Sequence, residues 1–176
     1  GAHTPNCDPI SISSQLTESL ERLKTDFAEI YIMHRDNLDI PVGEFITVLN
    51  NEVKNKRIKI FGGSNWTLDR FNEANEWAKK NNMQGMNILN NNLALSKMIK
   101  PLWTGCVSSN DELILNYLKK KQIAHLSWSS QGRGYFLPDD ICQAIEDKIN
   151  DNESVWRQPG EHCSGPMSCY DSKDNR

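Results

Sequence analysis

The sequence predicts an α/β protein built on parallel strands, and three observations carry that expectation. First, two apolar runs end abruptly on polar groups: Ile30-Tyr31-Ile32-Met33 on His34-Arg35-Asp36, and Ile58-Lys59-Ile60-Phe61 on Gly62-Gly63-Ser64-Asn65-Trp66. Second, they are about thirty residues apart with a helical pattern between them, the rhythm of a βαβ crossover. Third, two later strand patterns end in the same way, on Asn90 and on Trp128. Ligands of parallel α/β proteins bind where the carboxyl ends of the strands converge. His34, Ser64 and Asn65 are therefore expected to be neighbours in space.

Each element has its own justification. Leu16, Leu20 and Leu23 recur at four- and three-residue steps, one face of a helix over 14–24 that Ser13 or Ser14 is placed to cap. A strand follows at 27–33. Pro41 suits the first turn of a second helix, whose inward face carries Phe45, Ile46, Leu49 and Val53. The strand at 58–61 leads to a helix opened by Thr67, with Leu68, Phe71, Ala74 and Ala78 on one side and Asn81-Asn82 closing it. A weaker strand at 86–90 precedes a long connection through Lys100-Pro101-Leu102-Trp103-Thr104-Gly105-Cys106. A helix over 111–121, a strand over 123–128 and a turn at Gln131-Gly132-Arg133-Gly134 complete the pattern, with a short helix expected at 139–149.

These elements form one domain over residues 1–150. From Asp151 the chain is polar, rich in Gly, Pro, Ser and Asp and without periodicity, so 151–176 is expected to be a disordered tail. About four strands are visible, whereas a closed (β/α)8 barrel needs eight and roughly 250 residues. Either further strands lie outside the sequence or the exposed strand edges pair with a second copy.

Bulk composition narrows the function. At 176 residues with 38% hydrophobic content the chain can bury a lean core. A net charge of -3 gives no reason to expect nucleic acid or an anionic membrane as partner. The basic run Lys54-Asn55-Lys56-Arg57 reads as a solvated helix terminus. No apolar run approaches the roughly twenty residues of a membrane span, and no signal peptide is visible. Five cysteines at scattered spacing make no disulfide framework, which favours the cytoplasm. His162, Cys163 and Cys169 are too few for a zinc site, and no metal is expected.

The strand-end residues are the candidates for chemistry. A hydroxyl beside a carboxamide, as in Ser64-Asn65, offers donor and acceptor together and suits recognition of another carboxamide. Trp128 is placed to stack on a flat heterocycle, and Ser129 and Ser130 follow with hydroxyls and backbone N–H groups for a pyrophosphate. The plain alternatives are a strand-capping role for His34, bonded to a loop carbonyl or to Asp36, and rim packing for Trp128. Trp66 and Trp103 stand between a pocket lining and a rim cover in the same way. No Rossmann or Walker A pattern is present.

These residues also carry a family resemblance. Ser19-Leu20-Glu21-Arg22-Leu23-Lys24-Thr25-Asp26 before His34-Arg35-Asp36, then Gly63-Ser64-Asn65-Trp66, Lys100-Pro101-Leu102-Trp103, and Trp128-Ser129-Ser130-Gln131-Gly132-Arg133-Gly134 resemble the aldo/keto reductase superfamily in order and spacing. The likeness runs over residues 1–135, with an echo at 169–176. It implies a partial TIM (β/α)8 barrel from an NAD(P)H-dependent reductase that transfers hydride to a small aldehyde or ketone, with NADP favoured over NAD by the resemblance only. By position His34 matches the histidine that polarises the substrate carbonyl. Ser64 and Asn65 match the pair that holds the nicotinamide carboxamide, joined by Asn90 where the family commonly has a longer Gln. Trp128 matches the ring that stacks on nicotinamide, with Ser129 and Ser130 beside it. The catalytic Asp, Tyr and Lys of the family come from earlier strands and have no match here, and none of Tyr31, Tyr117, Tyr135 and Tyr170 stands in the required context. The expectation is a truncated portion inactive alone. The alternative is a catalytically dead, shortened paralogue that binds a partner or itself.

Overall fold

The computed structural model describes residues 7–98 and 101–131. The described residues fall into two compact units, 7–91 with 113–126, and 92–98 and 101–112 with 127–131. Among the described residues the first unit contains nearly all the regular structure. Its elements alternate: α1 (Pro9–Leu23), β1 (Ala28–Met33), α2 (Val42–Lys54), β2 (Ile58–Ser64), α3 (Leu68–Lys80), β3 (Ile88–Asn90), α4 (Glu112–Lys121) and β4 (Ala124–His125). The four strands form one parallel sheet in the order β1-β2-β3-β4. This is the helix–strand alternation expected from the spacing of the apolar runs.

The helices begin where side chains can satisfy their first N–H groups. Asp8 caps α1 by accepting from the Ser11 N–H, with Pro9 in the first turn where its missing N–H costs nothing. The helix therefore starts five residues earlier than its leucine spacing suggests. Ser13 is engaged elsewhere, its Oγ donating to Glu52 Oε1 at 2.7 Å. The buried stripe of α1 is Ile12, Leu16 and Leu20, and Leu23 is 70% exposed. Lys24 ends the helix in a left-handed conformation. Pro41 is the cap residue of α2 rather than a member of its first turn. Thr67 caps α3 as expected, accepting from the Arg70 N–H.

The core packs the helices on the sheet. Phe45, Ile46 and Leu49 of α2 are buried completely, Val53 partly, and Phe71, Ala74 and Ala78 of α3 are also buried. Arg57 departs from the expected solvated terminus. Its guanidinium bridges buried Glu52 at 3.4 Å and donates to Thr17 Oγ1 at 2.7 Å, so it ties α1 to α2. The sheet is closely packed at β2 and β3, and a Cβ added at Gly62 would lie 2.1 Å from the Ile88 carbonyl oxygen. β3 and β4 are shorter than the expected 86–90 and 123–128, since ladder pairing covers only Ile88 to Asn90 and Ala124 to His125. The turn at 131–134 beyond Gln131, the short helix at 139–149 and the tail at 151–176 lie outside the described residues.

The described residues of the second unit are largely irregular. Asn92 organises them, pairing as an isolated bridge with both Ser108 and Trp128. The Asn92 carbonyl accepts from the Ser109 N–H at 2.7 Å, and its Nδ2 donates to the Trp128 carbonyl at 3.2 Å.

Candidate active site at the strand ends

The parallel register sets the rim of the first unit. Met33 pairs with Gly63 and Ser64 with Asn90, so His34, Ser64 and Asn90 sit at one level at the ends of three adjacent strands. The juxtaposition expected from the abrupt ends of the apolar runs is therefore present for these three residues and for Asn65.

The loop after β2 is built tightly. Asn65 has φ of 57°, a left-handed conformation that Asn tolerates better than most residues, and this turn ends the strand. Its backbone N–H donates to the Asn90 carbonyl at 3.2 Å, while its Nδ2 donates to Ser64 Oγ at 3.1 Å. Ser64 and Asn65 are both buried. Behind them Trp66 is fully buried, edge-on to Phe45 at 6.0 Å. The carboxamide of Asn91 holds the Trp66 backbone from both sides. Its Oδ1 accepts from the Trp66 N–H at 3.2 Å, and its Nδ2 donates to the Trp66 carbonyl at 2.8 Å. Trp66 is thus a core residue and not a pocket wall.

Sequence reasoning singled out Asn90 and missed Asn91. In the run Asn90-Asn91-Asn92 only the ladder register separates the three roles: rim, loop clamp and organiser of the second unit. The side chain of Asn90 donates to the Leu126 carbonyl at 2.6 Å, which ties the end of β3 to the segment after β4.

His34 projects from the end of β1 and is exposed. Partial burial, with the charge of Arg35 second, holds its imidazole below the ordinary value, which favours the neutral ring. Asp36 does not serve it. That carboxylate accepts from Arg70 Nε at 3.1 Å and from the Asn37 N–H at 2.8 Å. Among the described residues no group of three His, Cys, Asp or Glu side chains could hold a metal ion.

In the second unit Trp128 is half-buried and stacks on Trp103, ring centroids 5.1 Å apart at 24°. One indole face is therefore covered by another ring. Ser129 has φ of 51°, and the carbonyl of the exposed Ser130 accepts from the Leu95 N–H at 3.0 Å.

A parallel sheet with helices in the crossovers defines the class: an α/β protein of the barrel type. The family follows from sequence, since residues 2–155 match the model of the aldo/keto reductase family. The chain belongs to that family, whose members are oxidoreductases of carbonyl compounds that use nicotinamide cofactors. It is 23% identical over 124 residues to Aldo-keto reductase AFTS1 of Alternaria alternata, covering 70% of this chain and 31% of that protein. A crystal structure described as that of a 2,5-diketo-D-gluconic acid reductase B superposes with a TM-score of 0.60 at 16% identity. The superposition covers 82% of this chain and 46% of the other, and it supports the fold. The chain thus spans less than half the length of either protein.

Proposed function

We propose that these 176 residues form the cofactor-receiving and carbonyl-polarising part of an NAD(P)H-dependent reductase of small aldehydes or ketones, a part that turns over little when alone. The observation that carries this reading is the buried, hydrogen-bonded Ser64–Asn65 pair at the level of His34 on adjacent strand ends. The donor set fits the cofactor, because a hydroxyl and a carboxamide match the donor and acceptor of a nicotinamide carboxamide. When bound, the nicotinamide supplies the hydride.

The remaining chemistry is assigned to the chain's own groups. Ser64 and Asn65 hold the carboxamide and so orient the ring. Asn90, whose Nδ2 is committed to Leu126, offers that carboxamide its Oδ1. Neutral His34 donates an N–H to the substrate carbonyl oxygen and stabilises the charge that develops there. The family resemblance alone assigns Trp128 to the nicotinamide ring and Ser129 and Ser130 to the pyrophosphate. NADP is preferred to NAD on the family resemblance alone, and a cytoplasmic location accords with the scattered cysteines.

Low turnover accords with the two tyrosines of the described residues. Proton donation needs a phenol brought toward neutral pH. Burial, followed by Cys7 and Glu52, pushes Tyr31 up to about 12, and burial also raises Tyr117. The test is calorimetric titration with NADP+, with steady-state reduction of a simple aldehyde run alongside. The chain should bind, the double substitution Ser64→Ala with Asn65→Ala should weaken binding about tenfold or more through two lost hydrogen bonds, and NADPH consumption should be negligible. Failure to bind, or equal binding by the double variant, rejects the reading.

A second reading is favoured by the sheet margins. Among the described residues β1 and β4 end the strand order, with Ile30 47% and Leu126 42% exposed, which suits a binding or self-associating module. A discrete homodimer that binds no nicotinamide nucleotide would support it over the first.

A further inference from the structure

Arg70, in the first turn of α3, makes several side-chain contacts near the strand ends. Its Nε donates to Asp36 Oδ2 at 3.1 Å, and its Nη2 donates to the carbonyls of Asn37 and Ile40. Its Nη1 reaches Glu73 Oε2 at 3.4 Å. The guanidinium carbon also lies 5.7 Å from the ring centre of Trp66. The first set of contacts grips the loop that follows His34. The last rests on the residue that follows Ser64 and Asn65, whose backbone Asn91 already holds.

The pair is well shielded, with Arg70 and Asp36 side chains 11% and 10% exposed. Burial raises the Asp36 carboxyl above its ordinary value, outweighing the nearby guanidinium. An ion pair with that balance adds little stability, which makes geometry the better account of its presence.

We propose that Arg70 is a positioning residue whose single guanidinium couples the loop carrying His34 to the loop carrying Ser64 and Asn65. The planar fork suits this role because its donors have fixed directions, which a lysine ammonium does not reproduce. The coupling rests on the strand-end reading above for its purpose, while the mechanical link is a separate claim with its own readout.

The experiment uses the full chain as wild type, Arg70→Lys and Asp36→Asn, followed by backbone amide NMR and by titration with NADP+. Asp36→Asn alters only the His34 loop, yet it should displace the amide signals of Ser64, Asn65 and Trp66. Arg70→Lys should displace signals in both loops and weaken NADP+ binding about tenfold. A merely stabilising ion pair would lower the unfolding temperature without carrying a change at residue 36 across to residues 64–66. Changes confined to residues 34–40 in Asp36→Asn overturn the coupling. So does unaltered NADP+ binding by both variants when wild type binds. If wild type binds no NADP+, the functional reading fails, and the amide displacements alone decide the coupling. Should Arg70→Lys not fold, the isosteric Asp36→Asn carries the same test.

Discussion

Cys7 and His34 lie at opposite ends of reactivity although both touch the loop after β1. The Cys7 thiol donates to the Arg35 carbonyl at 2.8 Å, and burial, then Asp36, then Asp8 push it up to about 11. A thiol so held is protonated near pH 7 and a poor nucleophile. Alkylation with iodoacetamide followed by mass spectrometry should leave Cys7 unmodified in the native protein and label it after denaturation. His34 shifts the other way. Its folded value lies below the unfolded value of about 6.5, so the unfolded chain binds more protons as the solution becomes acidic. The stability from this group is complete above the unfolded value and is lost as pH falls through the folded one. An NMR titration of the imidazole should therefore show its midpoint below about 6.5. A midpoint above that value would remove the neutral donor from the proposed chemistry.

At the scale of elements the decisive feature is the clamp between the ends of β2 and β3. Asn91→Ala would leave the buried N–H and carbonyl of Trp66 without partners and should cost roughly 2–4 kcal/mol in denaturant unfolding. A loss near zero would mean the loop is held by other means. The strands themselves were legible in the sequence because apolar runs with sharp polar ends leave few alternatives, and Thr67 announced α3 through its capping chemistry. The start of α1 was not legible, since Ser13 and Ser14 are plausible caps and only the tertiary bond to Glu52 shows Ser13 to be occupied elsewhere. Asn91 and Arg70 were hidden for the same reason. Their roles are contacts with residues 25 and about 30 positions away, which no local pattern encodes. The site was readable as a set of strand ends, while the parts that hold it rigid were not.

At the scale of the whole molecule, the margins of the sheet and the nicotinamide reading make distinct demands. Ile30 on β1 and Leu126 beyond β4 expose apolar surface at the two ends of the strand order among the described residues. A lysine on an edge strand is a common block to edge pairing, so Ile30→Lys should shift any associated species toward monomer in light scattering. Unchanged mass would place the contact elsewhere. Dinucleotide binding at the strand ends is a separate matter, decided by an amide and side-chain NMR titration of the full chain with NADP+. The Ser64 and Asn65 amides, the Asn65 carboxamide and the His34 ring should move together and saturate on one binding curve. Signals that stay fixed at those three residues through saturating nucleotide would contradict the account.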